Sequence, residues 1–188
     1  MSKTLVCIDM ANLYYYLEKK GWTVDWAKFK TYLTSLYEEI IFIFYEGIRC
    51  APHFMQKNPG ASWSDYHKEV KDKIQYFRKL KEMGFIIETK YTNHIPAPFP
   101  KKPKNKCNFD VEITIDALSR IDSFERFILC SGDGDFLRLI DHLNLKQKKT
   151  LLIYPKDRTS DKLKHSTTEK SFSLGSIKEI VKEQVIPT

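Results

Sequence analysis

The sequence lacks any run of roughly 20 apolar residues, the length that a membrane-spanning helix requires. We also expect no signal peptide, because an apolar, strand-like segment begins as early as Thr4. Of its 188 residues, 42% are hydrophobic and 29% are charged, a composition typical of folded domains without a membrane segment. We therefore expect a cytoplasmic protein with no membrane partner, folded as a single domain over residues 1–188.

Closely spaced cysteine pairs are also missing. The four cysteines, Cys7, Cys50, Cys107 and Cys130, are widely separated and form no Cys-x-x-Cys motif. This spacing argues against the Cys and His arrangement that a structural zinc site requires. Cys7 and Cys130 each lie in an apolar run, where a thiol serves as a small hydrophobic side chain. We predict that all four are free thiols.

Glycine is absent from the turn after the first apolar run, where Asp9 is followed by Met10 and Ala11. A dinucleotide-binding fold needs glycines at this turn so that a pyrophosphate can approach the backbone. A phosphatase that forms an aspartyl phosphate needs a second aspartate two positions after the first, where this chain has Ala11. Both enzyme classes are therefore disfavoured.

Short apolar runs alternate with amphipathic segments along the chain. Strands are predicted at residues 4–8, 40–45, 85–89, 127–130 and 150–154, and helices at 11–20, 25–37, 65–83, 109–120 and 134–143. A short segment at 171–174 and a helix from about 176 follow. This alternation predicts an α/β sandwich with a mainly parallel central sheet, with a core over about 4–154 and an extension over 155–188.

Two connecting segments are predicted to lack regular structure. One follows the second strand and contains Pro52, Pro59 and Gly60. The other spans residues 94–108 and interleaves four prolines with four lysines, Lys101, Lys102, Lys104 and Lys106. It is the most basic stretch of a chain whose net charge is +7, and we expect an exposed basic arm.

Acidic side chains follow two of the predicted strands. Asp9 ends the first, and Asp133 and Asp135 follow the strand that ends at Cys130. Gathering aspartates costs charge repulsion and desolvation, which a bound cation offsets, and oxygen ligands favour Mg²⁺ or Mn²⁺. Each aspartate alone is also a common turn former or helix cap, so both interpretations stay open for Asp9 and Asp133.

Three segments resemble the motifs of the NYN domain family, also called LabA-like, of the PIN-like nuclease superfamily. They are Ile8 to Leu13, Phe109 to Leu118 and Ser131 to Phe136, in the order of the family. The resemblance spans about residues 4–154. It implies a Rossmann-like, three-layer sandwich and an acidic, Mg²⁺- or Mn²⁺-dependent nuclease site, usually for RNA.

Carried over by position, the resemblance implies four metal-binding and catalytic acids, namely Asp9, Asp110, Asp133 and Asp135, with Asn12 and Ser131 as polar supports. Asp116 matches a further acid of the family. It lies six residues after Asp110, an offset of about 120° around a helix, so we rank it second. Its alternative is a solvated or salt-bridged acid.

The sequence departs from the family pattern at two places. Met10 stands where many members have Gly, and the segment Lys106 to Phe109 differs from the Lys-Gly-Val that commonly precedes the second motif. Both changes leave the acids in place. The bulk of Met10 puts substrate size and rate in doubt more than metal binding.

A second set of residues is predicted to bind nucleic acid, most simply single-stranded or structured RNA. It consists of Arg49, Tyr14 and the four lysines of residues 101–106. A lysine run is also commonly a solvated loop. The rival function is a catalytically silent module that binds RNA or a nucleotide in the same cleft, and a homodimer is compatible with either.

Overall fold

A parallel sheet forms the centre of the part of the chain that the computed structural model describes, residues 3–98, 101 and 103–183. The strands are β1 (Thr4–Asp9), β2 (Ile40–Tyr45), β3 (Phe85–Glu88), β4 (Asn93–Ile95), β5 (Lys104–Lys106), β6 (Arg126–Cys130), β7 (Lys149–Tyr154) and β8 (Phe172–Ser173). The helices are α1 (Met10–Lys20), α2 (Trp26–Leu36), α3 (Ala51–Lys57), α4 (Trp63–Glu82), α5 (Asp110–Ser119), α6 (Leu137–Leu145), α7 (Asp161–Ser166) and α8 (Lys178–Val181).

Six strands pair in the order β3-β2-β1-β6-β7-β8, and every neighbouring pair is parallel. From β1 the chain builds outward to β2 and β3, and it then returns to build β6, β7 and β8 on the other side. The switch in strand order therefore lies between β1 and β6. In parallel α/β sheets, ligands bind beyond the carboxyl ends of the strands at such a switch.

Successive side chains of the central strands enter two separate cores. Val6 and Ile8 of β1 pack in the core that also contains residues of α1, α2 and α4. Leu5 and Cys7 pack in the opposite core, with residues of α5, α6 and α7. Both faces of the sheet are covered by helices, which confirms the predicted three-layer α/β sandwich.

Local signals in the sequence explain where several elements begin and end. The Asp25 carboxylate accepts a hydrogen bond from the Lys28 amide and caps α2, as predicted. Gly21 ends α1 with a φ of 64°, a left-handed conformation that favours glycine. Ser62 and Asp65 form a reciprocal capping box at the start of α4.

The prediction that the two connecting segments lack regular structure was wrong. The first contains helix α3, in which Pro52 lies in the first turn, where a missing amide hydrogen removes no helical bond. The second contains β4 and β5, which pair as an antiparallel hairpin. The prolines of this segment that the structure describes lie between or beside the two strands, so they remove no bond of the ladder.

Further differences lie at helix ends. The helix predicted at 134–143 is a 3₁₀ turn over Gly134–Phe136 followed by α6, and the final helix is short. Helix α7 was not predicted, because six residues are too few to show a helical apolar period. The four cysteines are free, as predicted. Among the described residues, no helix is long and apolar enough to cross a bilayer.

Candidate metal centre

The first predicted acids lie where the strand order switches. Asp9 is the last residue of β1, and Ser131 to Asp133 directly follow β6, the parallel neighbour of β1. The parallel pairing aligns Ile8 with Cys130, so both strands end at the same level. This local order brings two acidic segments, far apart in sequence, to one edge of the sheet.

Three carboxylates converge at this edge. Asp110, Asp133 and Asp135 each offer an oxygen, and these three oxygens lie within 4.8 Å of one another. Asp110 begins α5, which packs on the face of the sheet opposite to α1. Asp110 and Asp133 are half-buried, and Asp135 is exposed. Among the residues that the structure describes, this is the group of three or more His, Cys, Asp or Glu side chains able to share a metal ion.

Neighbouring polar groups orient two of these carboxylates. The Asn108 side-chain amide donates a hydrogen bond to Asp110 Oδ2 at 2.9 Å. The Asp135 backbone amide donates to Asp133 Oδ1 at 3.0 Å. Asp133 therefore caps the 3₁₀ turn and lies in the acidic group at the same time. The contribution of Asn108 was not anticipated from the sequence, although its position two residues before Asp110 places it within reach of that carboxylate.

Asp9 lies beside the three converging acids and is almost fully buried. Ser131 Oγ donates a hydrogen bond to Asp9 Oδ2 at 2.9 Å, and the Asn12 amide donates to Asp9 Oδ1 at 3.2 Å. Burial nevertheless raises the pKa of Asp9 to about 6, and the negative charges of Asp110 and Asp133 add to the rise. A positive charge nearby would therefore stabilise the ionised form of Asp9.

The same electrostatic strain acts on Asp110. Burial raises its pKa, and the charges of Asp133 and Asp135 raise it further. Within residues 3–98, 101 and 103–183, none of these four carboxylates forms an ion pair with Lys or Arg. A set of oxygen donors with uncompensated negative charge fits a hard divalent cation.

Asn12 and Ser131 connect the two sides of the centre. Asn12 Oδ1 accepts a hydrogen bond from the Gly132 amide at 2.9 Å, which ties α1 to the loop after β6. Besides its bond to Asp9, Ser131 Oγ accepts a hydrogen bond from the Asp133 amide at 3.2 Å. The hydroxyl of one buried serine therefore sets the positions of two of the predicted ligands.

Asp116 is not part of the converging group. The Tyr45 hydroxyl donates a hydrogen bond to Asp116 Oδ2 at 2.8 Å, and Arg120 Nε lies 3.9 Å from Asp116 Oδ1. The Tyr45 hydroxyl also lies 3.8 Å from the sulfur of buried Cys7. Asp116 thus anchors α5 to β2, which agrees with the alternative of a salt-bridged acid.

The residues predicted to bind nucleic acid lie in several environments. Lys101, Lys104 and Lys106 are exposed, and Lys102 lies outside the described residues. Arg49 forms an ion pair with Glu69 at 2.7 Å. Tyr14 is 50% exposed and donates a hydrogen bond to Glu18 at 3.1 Å. Of the three consecutive tyrosines that begin with Tyr14, Tyr16 is the one that faces the core.

The fold and the site together define a class: a three-layer α/β domain with an acidic centre at the switch in strand order. The particular family follows from a direct comparison. The model of the NYN domain family matches residues 3–174, and the chain belongs to this family. The resemblance seen in the three sequence motifs is confirmed. Membership of the family indicates a PIN-like nuclease, a hydrolase that acts on nucleic acids.

Relatives extend over the whole chain. "Low amplitude and bright protein LabA" of Synechococcus elongatus is 23% identical over 188 residues, covering 99% of this chain and 91% of the relative. A solved structure of a protein of unknown function from Vibrio parahaemolyticus has a TM-score of 0.63 at 22% identity, covering 92% of this chain and 93% of that one. This likeness shows the fold alone.

A second solved structure, the T5 5'-exonuclease with bound zinc, has a TM-score of 0.41 at 12% identity. It covers 94% of this chain and 60% of that chain. A score at this level supports no conclusion about the site, so the functional argument rests on the family and on the geometry of the acids.

Proposed function

We propose that this protein is a metal-dependent nuclease that hydrolyses phosphodiester bonds of RNA, with Mg²⁺ or Mn²⁺ bound at the acidic centre that Asp9, Asp110, Asp133 and Asp135 form. The observation that carries the proposal is the convergence of three carboxylate oxygens within 4.8 Å, beside a fourth, buried aspartate. Family membership supports nuclease chemistry, and the positive net charge supports a polyanionic substrate.

The donor set supports the choice of cation. All four side chains offer oxygen, which Mg²⁺ and Mn²⁺ prefer to the nitrogen and sulfur ligands of zinc. Asp110, Asp133 and Asp135 are the direct ligands in the proposal. Asp9, which Ser131 and the Asn12 amide hold in place, supplies negative charge from below the group. When bound, the cation offsets the charge of the phosphodiester and lowers the pKa of water.

The residues of the chain perform two tasks in the proposed reaction. Asn108 and the turn at Asp133 keep the carboxylates fixed, so little reorganisation is needed when negative charge develops on the phosphoryl and leaving oxygens. A water molecule gives up a proton to solvent and attacks phosphorus, a new P–O bond forms, and the bond to the leaving oxygen breaks as that oxygen takes up a proton. No nucleophilic side chain takes part. Asp116 acts by positioning α5, since its carboxylate is bonded to Tyr45.

The substrate strand in this proposal lies along the basic side of the same edge. Exposed Lys104 and Lys106 lie on β5, which ends shortly before Asp110, and Arg49 follows β2. Phosphates bound by these side chains would pass close to the acids. RNA as the substrate rests on the family resemblance. The cytoplasmic location and a homodimer stay predictions.

The test is a cleavage assay with labelled single-stranded RNA in Mg²⁺, in Mn²⁺ and in EDTA, beside the variant Asp133→Asn. An asparagine at this position keeps an oxygen to accept the Asp135 amide, so the turn is preserved. We expect cleavage by the wild type with either cation, and none in EDTA or by the variant.

Two results would contradict the proposal in different ways. RNA that is bound and left intact under every cation would favour the silent binding module. Cleavage by Asp133→Asn at the wild-type rate would instead show that the chemistry takes place elsewhere.

A further inference from the structure

The first turn of α4 carries an exposed group of rings. The ring centroids of Trp63 and Tyr66 are 5.9 Å apart, those of Trp63 and His67 are 6.2 Å apart, and those of Tyr66 and His67 are 5.8 Å apart. Trp63 is 63% exposed. Single exposed apolar residues are ordinary, but a cluster of rings on the surface usually marks a binding site.

The rings are held firmly from beneath. Tyr66 packs on Phe54 of α3, which is buried, at a centroid distance of 5.7 Å. The guanidinium of Arg49 lies 5.9 Å from the centre of the same Phe54 ring and is fixed by its ion pair with Glu69. The capping box of α4 fixes the backbone directly before Trp63. The exposed faces of the rings are therefore pre-arranged for a planar ligand.

The position of the rings follows from the topology. Helix α4 runs about 30 Å back to the start of β3, so its first turn lies near the carboxyl edge of the sheet. Beyond that edge, Ile48 and Tyr91 continue the parallel pairing of β2 and β3. Tyr91 is 57% exposed. Tyr91 directly precedes Thr92, which is bonded to Cys50 at the start of α3, so it lies on the side where Tyr66 packs on α3.

The basic hairpin is docked on the same side. The Asn105 side-chain amide of β5 donates a hydrogen bond to Gln56 of α3 at 2.7 Å. The Cys50 amide at the start of α3 donates to Thr92, just before β4, at 3.0 Å. These bonds hold the exposed lysines of β5 next to the helix on which Tyr66 packs.

The charges around the rings match a polyanion. Lys57 ends α3, Lys68 lies on the second turn of α4, and both are exposed. Of the nearby acids, Glu69 is paired with Arg49, and Asp65, which keeps its negative charge, accepts hydrogen bonds from the Ser62 hydroxyl and amide. The surface therefore offers flat aromatic faces among positive charges, the combination that binds unpaired bases and their phosphates.

We propose that Trp63, Tyr66, His67 and Tyr91, here called the aromatic platform, stack the unpaired bases of a single-stranded nucleic acid that leads into the acidic centre. The inference rests on the proposed nuclease function and names the form of its substrate. Arg49 connects the platform with the strand ends, because it packs on Phe54 and follows β2, whose last residue, Tyr45, pairs with Asp9. A duplex keeps its bases stacked internally and gains nothing from the platform.

The test measures binding in EDTA, where cleavage is not expected. Fluorescence anisotropy would compare a labelled single-stranded RNA of about 12 nucleotides, within the site size of one stacking surface, with a blunt duplex of the same sequence. We expect Trp63→Leu to bind the single strand roughly tenfold more weakly, since one base–aromatic stack is removed. Trp63→Phe keeps a ring and should bind within about threefold of the wild type. The matched control is Leu145→Ala, which removes an 81% exposed apolar side chain of α6 and should change nothing.

A second measurement follows the tryptophan itself. Base stacking quenches indole fluorescence. Trp26 is buried and Trp22 is partly buried beside Lys178, so the single strand should quench wild-type emission more than it quenches Trp63→Phe, which keeps only those two indoles. The duplex should bind the wild type at least roughly tenfold more weakly than the single strand does.

Several outcomes would overturn the platform. The first is equal binding by the wild type and Trp63→Leu. The second is an equal loss of affinity in Trp63→Leu and Trp63→Phe. The third is equal affinity of the wild type for single strand and duplex. A shift from dimer to monomer in Trp63→Leu with unchanged RNA binding would assign the rings to a second copy of the chain. Cleavage in Mn²⁺ is measured separately. RNA that stays intact but whose binding depends on Trp63 would support the platform and contradict the nuclease function.

Discussion

The acidic centre and the aromatic platform lie at the same edge of the sheet, but each is unfavourable for the folded state for a different reason. The centre buries carboxylates that no described lysine or arginine neutralises, whereas the platform exposes large rings that folding would normally cover. Each region lacks the partner that would relieve it, a cation in one case and a planar ligand in the other. In our proposals the acidic centre performs the chemistry and the platform binds the substrate. A substitution in one region should therefore leave the role of the other intact.

The largest effect is expected from a loss of charge inside the centre. Asp110→Asn should lower the cleavage rate by about 10²–10³-fold, because several kcal/mol of charge stabilisation disappear with a ligand. Binding of single-stranded RNA in EDTA should not weaken. The matched control is Glu112→Gln, which changes an acid in the same helical turn that is paired with Lys90 and lies outside the converging group.

Equal cleavage by Asp110→Asn and Glu112→Gln, in an assay with saturating Mn²⁺, would remove the distinction between the acids of the centre and ordinary surface acids.

The second effect concerns the stability of the metal-free protein. The pKa of Asp9 is raised to about 6 from an ordinary value of 3.8, so the folded state binds its proton more tightly than the unfolded state does. Stability should therefore fall as the pH rises from about 4 to about 6. By pH 7 the cost approaches about 3 kcal/mol, at 1.36 kcal/mol for each pKa unit.

Asp9→Asn removes this cost and should flatten the pH dependence in urea unfolding carried out in EDTA. A divalent cation should stabilise the wild type above pH 6 more than it stabilises the variant. Asp25→Asn is the control, because Asp25 also caps a helix but lies away from the acids and beside Lys28. A wild-type stability that rises between pH 4 and pH 6 relative to Asp9→Asn would refute the assignment.

The third effect tests the support beneath the ligands. Ser131→Ala removes the hydrogen bonds to Asp9 and to the Asp133 amide. We expect about tenfold weaker affinity for Mn²⁺, since side chains that orient metal ligands typically contribute 10–100-fold. Isothermal titration calorimetry would measure the Mn²⁺ affinity. Ser171→Ala is the control, because Ser171 accepts a hydrogen bond from the Leu152 amide and contacts none of the four acids. An unchanged Mn²⁺ affinity would reduce Ser131 to a turn residue.

The smallest effect belongs to the basic side. The double variant Lys104→Ala and Lys106→Ala should reduce the salt dependence of single-strand binding by about 0.7 for each phosphate that is no longer neutralised. Its cleavage rate at saturating RNA should be unchanged. The control pair Lys146→Ala and Lys149→Ala removes two exposed lysines near the amino end of β7. Identical salt slopes for the two double variants would show that the hairpin lysines are merely solvated.

Much of the acidic centre could be predicted because its geometry follows from local sequence. Asp9 ends an unbroken apolar run, and Asp133 and Asp135 follow another, so parallel pairing alone brings them to one edge. Asp110 was identified through the second family motif, and the structure places its carboxylate in the group. Asp116 could not be placed by sequence, because an angular offset around α5 does not reveal that Tyr45 binds it.

The basic and aromatic side was predicted less well. Prolines suggested irregular loops where α3 and the β4–β5 hairpin form, since short elements leave too few residues for a visible apolar period. The lysines of the second segment were recognised. Tyr66 and His67 fell within the amphipathic helix predicted at 65–83 and Trp63 just before it, and nothing in that pattern shows which rings stay exposed.

The sequence by itself determined the order of the central strands and of the longer helices, and the residues that end those strands, because apolar period, caps and turns act over a few neighbouring positions. Tertiary structure alone decided how deeply Asp9 is buried, that Ser131 serves two aspartates, and that Trp63 remains exposed beside a docked hairpin. These properties depend on contacts between residues that are distant in the chain, such as Ser131 with Asp9 and Asn105 with Gln56. Desolvation and exposure are set by everything that packs around a group, which no local pattern contains.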